Sequence, residues 1–150
     1  PPDGAPARQR RLLADFAALW QAEGGPPLLV ENIDICDPAT LGRGFLEDHG
    51  LRLCLDVGHL LGYAQFRLLR SALPETAALL HWSAPAGGDR HRPLTDFTPE
   101  EARTAAAVMA RVPTAATHLV EIFQWNGLAA SLPVLAVLAQ KGAATLRGGA

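Results

Sequence analysis

Two hydrophobic periods alternate along this chain, and their alternation lays out its elements. In residues 8–23, Leu12, Leu13, Phe16, Leu19 and Trp20 recur three and four positions apart and Gly24-Gly25 follow, which predicts an amphipathic helix with one buried stripe. The short apolar run 28–33, after Pro26-Pro27, predicts a strand, and so does the run 51–56 after Gly50. Residues 38–49 between them are poorly periodic and read as a loop with a short helix. Residues 59–73 carry Leu60, Leu61, Phe66, Leu68 and Leu69 at helical spacing up to Pro74, and a third strand is expected over 77–82. A Gly- and Pro-rich loop fills 83–97. Thr98-Pro99-Glu100-Glu101 then combines a capping box with proline at the first helical position, so a helix should run from there to Arg111. A fourth strand at 117–123 and a last helix at about 131–140 complete the order. Residues 1–7 and 142–150 offer little to bury and read as frayed ends.

A helix followed by four strand-helix units specifies an α/β fold with a parallel sheet and helical crossovers. The nearly continuous apolar strands suit a sheet covered on both faces. Two architectures fit: an open doubly wound sheet, or a sector of a closed barrel of about eight units. No glycine-rich phosphate loop follows the first strand, which removes the main support for a nucleotide-binding open sheet.

Composition narrows the possibilities further. The 150 residues are 49% hydrophobic and 19% charged, enough apolar surface for one compact domain. With 13 basic against 15 acidic side chains, the net charge of −2 argues against a broad nucleic-acid-binding face. No apolar run approaches the roughly 20 residues of a membrane-spanning helix. Cys36 and Cys54 form no C-x-x-C pattern and are too few for a disulfide scaffold, which points to a reducing compartment, the cytoplasm.

The chemistry lies at the strand ends. The four strands finish in Glu31-Asn32, in Asp56-Val57-Gly58-His59, in His81 and in Glu121. Carboxyl ends of parallel strands share one face about 5 Å apart, so these groups should converge. Converging carboxylates and imidazoles need a neutralising cation, since an uncompensated buried charge costs several kcal/mol. A divalent metal answers this, and a His/Asp/Glu donor set accepts Zn²⁺, Mn²⁺ or Fe²⁺ alike. The loop after the third strand adds Asp89 and His91, two residues apart, with Arg90 and Arg92 as anion contacts. Each residue also has a plainer reading: Asp56 as a helix N-cap, His59 as a helix-start residue, the arginines as solvated loop charges. His49 and His118 carry no functional signal.

As a set, Glu31-Asn32, Asp56-Val57-Gly58-His59, His81, Asp89-Arg90-His91-Arg92-Pro93-Leu94 and Glu121 resemble the second half of the xylose-isomerase-like barrels, which include the apurinic-endonuclease type of metallohydrolase. Within that superfamily the wording around Glu31, Asp56 and Glu121 looks most like the cobamide-remodelling phosphodiesterases. One departure is His81-Trp82-Ser83-Ala84, where such proteins usually carry His-x-His-Gly.

The resemblance implies a TIM (β/α)8 barrel of which this chain supplies the C-terminal half, a complete barrel needing about 250 residues. The missing N-terminal half would then be its partner. It further implies that Glu31, Asp56, His59, His81, Asp89, His91 and Glu121 hold two or more divalent ions, Mn²⁺ or Zn²⁺. Glu31 and Glu121 would be the catalytic carboxylates, and Asn32, Arg90 and Arg92 would meet the substrate, a small phosphodiester such as the nucleotide loop of a cobamide. A single-metal sugar isomerase or epimerase of the same superfamily would need only Glu31, Asp56, His81 and Glu121, with the two glutamates moving protons beside a carbonyl. An inactive half-barrel is the third reading.

Overall fold

A computed structural model describes residues 6–86 and 90–148. The strands are β1 (Leu29–Glu31), β2 (Arg52–Asp56), β3 (Ala77–Trp82) and β4 (Thr117–Val120), and the helices are α1 (Pro6–Ala22), α2 (Arg43–Asp48), α3 (Val57–Gly62), α4 (Phe66–Arg70), α5 (Pro99–Arg111) and α6 (Trp125–Gly148). All strand pairs are parallel, and the sheet order is β1-β2-β3-β4. The expected α/β alternation with a parallel sheet is therefore present. No helix among the described residues is long and apolar enough to cross a membrane.

Strand alternation sorts the sheet into two faces. On one, Leu53, Leu55, Leu80 and Trp82 are fully enclosed, packed with Leu60, Leu68, Leu94 and Val108 from the helices and loops. The other carries Glu31, Cys54, Asp56 and His81. That face is open at its edges, with Leu29 41% and Leu119 46% exposed. The two faces differ: the first is enclosed throughout, while the second is buried at Cys54 and Asp56 of β2 and exposed toward its outer strands.

A one-residue irregularity decides which side chains reach the site. Between Leu53 and Cys54 on β2 the partner on β3 advances from Ala77 to Leu79, so Asp56 stands beside His81. Continued from Leu53 and Ala77 without that step, the ladder would set Leu80 opposite Asp56 and turn His81 into the core.

Three further expectations change. The helix expected over residues 59–73 is two helices, because the chain reverses through Ala64 (φ 51°) to bring Gln65 back against the end of β1. The last helix begins at Trp125 and passes through Pro133. Ser131, which reads as its start, instead donates to the Gly127 carbonyl and accepts from the Leu94 amide, tying helix to loop. The apolar stripe of α1 is largely exposed at Leu12, Phe16 and Leu19, beside the free edge of β1, and Ala17 is the residue it buries. The ends read as frayed are helical from Pro6 and up to Gly148. Residues 1–5 and 149–150 lie outside the described residues.

The capping box forms as expected. Thr98 Oγ1 accepts from the Glu101 amide, and the Glu101 carboxylate accepts from the Thr98 amide. Thr98→Ala should lower the unfolding free energy by about 1 kcal/mol in urea titrations, with an unchanged m-value.

Candidate metal centre

Asp56 closes β2 and opens α3. Its Oδ1 accepts from the His59 amide at 2.7 Å, so it is the N-cap that one reading of the sequence anticipated. Capping occupies one oxygen. The residue is completely enclosed, and Oδ2 has no hydrogen-bond partner among the described residues. The carboxylate therefore serves the helix with one oxygen and keeps the other buried on the face of the sheet that carries Glu31 and His81.

Around Oδ2 stand the groups from the other three strands. His81 Nδ1 lies 3.9 Å from it, and 3.1 Å from both Glu31 Oε1 and Glu121 Oε2. Glu121 follows the last residue of β4 and is held there by its amide, which donates to the Trp82 carbonyl. One donor atom from each of Glu31, Asp56, His81 and Glu121 falls within 4.8 Å of the others. That spread is close to the ~4.2 Å diameter of a coordination sphere with ~2.1 Å bonds. Carboxylate oxygens and an imidazole nitrogen also form a donor set that divalent ions accept. An orphaned buried oxygen at its centre fits the same ligand.

The electrostatics agree with this arrangement. Burial pushes the Asp56 carboxyl above its ordinary range, while the hydrogen bond from His81 pulls Glu31 down. Cys54 and Glu31 beside His81, with Glu121, push its imidazole up to about 10. Three carboxyl groups thus stand against one imidazole, an excess of acidic groups that a divalent cation would neutralise.

A second group of donors adjoins the first. His59 Nδ1 donates to the Asn32 carbonyl at 2.9 Å, which fixes the tautomer and leaves the lone pair on Nε2. Its ring lies 6.2 Å from that of His91. His91 Nε2 is 3.8 Å from Glu121 Oε1, and its Nδ1 is 3.3 Å from Ser83 Oγ. Gly58 permits this approach, because a β-carbon there would overlap the Ser83 hydroxyl. Asp89 lies outside the described residues.

The residues expected to meet substrate have different places. Asn32 is completely enclosed: its amide nitrogen donates to the Asp56 carbonyl and to Gln65 Oε1, and its oxygen accepts from the Asp56 amide. Nothing of it remains for a substrate, and it positions Asp56 instead. Arg92 is held by Asp96 at 3.1 Å and by the Pro85 carbonyl, bracing the loop. Arg90 is exposed beside His91. Gln65, Cys54 and Ser83 were not among the expected site residues. The period-2 alternation from Asp56 was the available signal for Cys54, and the departure from His-x-His-Gly was the signal for Ser83; Gln65 had none.

Compared with protein-family models, with curated proteins and with solved structures, the chain matches none.

The enclosed Asp56 gives a test of stability against pH. Its folded pKa is raised, so its contribution is complete below the unfolded carboxylate value and is lost as pH rises through the folded one. At neutral pH the ion-free protein carries that cost. Asp56→Asn keeps the capping oxygen and removes the charge, so it should stabilise the ion-free protein at pH 7 by about 1 kcal/mol or more. It should also abolish the rise in melting temperature that Mn²⁺ gives the unaltered chain. A lower melting temperature for the ion-free variant would contradict the uncompensated charge.

Proposed function

We propose that this chain is the metal-binding half of a divalent-metal-dependent phosphodiester hydrolase on a (β/α)8 barrel, acting on the nucleotide-loop phosphodiester of a cobamide. The observation that carries the metal centre is the convergence of Glu31, Asp56, His81 and Glu121 from four consecutive strand ends on the unpartnered Asp56 Oδ2. Carboxyl-end clustering of this kind is where barrel enzymes keep their catalytic groups. The resemblance of the motif set to cobamide-remodelling phosphodiesterases supplies the substrate class.

The barrel reading draws on the strand order. Each strand pairs with the one before it, with no reversal of the kind that creates a crevice in a doubly wound sheet. Right-handed crossovers in such an order set every helix on one side and leave the site-bearing face to the barrel interior. A groove of about 620 Å³ runs along β1, lined by Leu12, Phe16, Leu29, Ile33 and Ile35 and reaching Glu31. Four further strand-helix units, the N-terminal half of the barrel, would cover this groove and the free edges of β1 and β4.

Ions held by Glu31, Asp56, His81 and Glu121, with His59 and His91 beside them, would supply Lewis-acid polarisation of a phosphoryl oxygen and a water of lowered pKa. The protein's share is to hold these donors in place. Glu31 and Glu121 flank His81 from the two outer strands. Asn32 fixes Asp56 through both of its backbone polar groups, the Asn32 carbonyl aims His59, and Ser83 braces His91. Arg90 places positive charge next to His91 for an anionic substrate.

The observation favouring a hydrolase over a one-metal isomerase is the second group, since His59 and His91 adjoin the first donors and Glu121 is common to both. Elemental mass spectrometry on the chain, loaded with Mn²⁺ or Zn²⁺ and dialysed, should find two or more ions. One ion would turn the reading to sugar isomerisation, and none would overturn the metal centre. His91→Ala should lose one ion and, in a barrel reconstituted with its N-terminal half, reduce hydrolysis of bis(p-nitrophenyl) phosphate and of a cobamide at least about a hundredfold; turnover equal to that of the unaltered reconstituted barrel would exclude the multi-metal mechanism.

A further inference from the structure

One thiol on the site face has no part in the mechanism above. Cys54 lies two residues before Asp56, so strand alternation places it on the same face, one layer deeper in the sheet. In register it stands beside Glu31 of β1. It is buried, 3% exposed. Its Sγ, a carboxylate oxygen of Glu31 and a ring nitrogen of His81 lie within 4.8 Å of one another. A buried free cysteine is ordinarily a small apolar filler among aliphatic neighbours. Cys54 instead has a carboxylate and an imidazole at its side, and both belong to the four-residue donor set.

A second observation points to the same ligand. Asp56 is completely enclosed with Oδ2 unpartnered among the described residues, and that oxygen lies 3.9 Å from Nδ1 of His81, the same imidazole that Cys54 adjoins. Two buried donors on successive inward positions of β2 thus address one imidazole.

We propose that Cys54 is a sulfur ligand of the strand-end metal centre. This rests on the reading of that cluster as a metal site. It gives the centre two overlapping donor sets that share Glu31 and His81. The outer one completes itself with the carboxylates of Asp56 and Glu121, and the inner one with the thiolate of Cys54. Sulfur selects for thiophilic ions, so Zn²⁺ and Co²⁺ take the inner set while Mn²⁺ stays on oxygen and nitrogen. On binding, the metal–sulfur bond replaces the S–H bond and the thiol proton passes to solvent. No change of oxidation state is involved.

Co²⁺ and Zn²⁺ are the probes. Bound to the unaltered chain, Co²⁺ should give a sulfur-to-metal charge-transfer band in the near ultraviolet, and X-ray absorption of the Zn²⁺ form should show one sulfur at about 2.3 Å. Both signals should survive Cys36→Ser and vanish in Cys54→Ser, whose affinity for Zn²⁺ and Co²⁺ should fall at least about tenfold. Mn²⁺ binding, followed by electron paramagnetic resonance, should be the same in Cys54→Ser as in the unaltered chain. Co²⁺ bound with visible d–d bands but no charge-transfer band would overturn the sulfur ligand and leave the metal centre standing. Loss of Mn²⁺ together with Zn²⁺ in a folded Cys54→Ser would overturn the selectivity and make Cys54 a packing residue. Failure of the unaltered chain to retain any ion would overturn both readings. The measurements on the unaltered chain decide the ligand even where Cys54→Ser does not fold.

Discussion

The structure depends on a carboxylate with two unequal oxygens. One oxygen of Asp56 begins α3, and the other is buried on the site face without a hydrogen-bond partner. A group in that state has a standing free-energy cost, so the surrounding structure must hold it there. Asn32 clamps the backbone of Asp56 from β1, Gln65 clamps Asn32, and the Gln65 amide is returned to the Ile33 carbonyl. The reversal at Ala64 brings Gln65 into that chain of contacts. Local irregularities at the start of α4 and at the end of β1 therefore serve one purpose at the end of the neighbouring strand, β2.

The same economy governs the sheet. The step in register between β2 and β3 is a single residue, yet it determines whether an imidazole or a leucine stands beside Asp56. The amide of Glu121 continues the β3–β4 ladder one position past the strand, so the last carboxylate rests on backbone hydrogen bonding more than on side-chain packing. Outer parts of the site are held in a different way. Ser83 reaches His91 only because residue 58 lacks a β-carbon, and the loop carrying His91 is fastened by the Arg92–Asp96 pair.

Much of this was legible in the chain, and the boundary has physical reasons. Switches between the two hydrophobic periods located the strands and most helices, and the coincidence of ionisable residues at four strand ends located Glu31, Asp56, His81 and Glu121. Local patterns report only local structure, however. Asn32 read as a substrate contact through the resemblance of its Glu-Asn motif, and nothing within a few residues reveals that Asp56 and Gln65 consume its carboxamide. Residues 59–73 read as one helix because the break at Ala64 answers to a partner over 30 residues away. The stripe on α1 signalled burial correctly as chemistry, but burial requires a surface to meet, and among the described residues Leu12 and Phe16 meet only the walls of an open groove while Leu19 stays 68% exposed. Ser131 showed the converse case, a capping residue type whose hydroxyl is used in the interior of a helix.

One pair at the margin of the core has an optical consequence. The indole nitrogen of Trp82 donates to His118 Nδ1 at 3.0 Å, and the two rings stack with centroids 5.9 Å apart. Burial holds the imidazole below its ordinary pKa, in the neutral form that can accept the bond. Trp82 is fully enclosed, whereas Trp20 and Trp125 are exposed. Of the three tryptophans, Trp82 is therefore the one whose fluorescence should report the seam between β3 and β4, and a proton on His118 Nδ1, which ends its capacity to accept the indole bond, should change that signal.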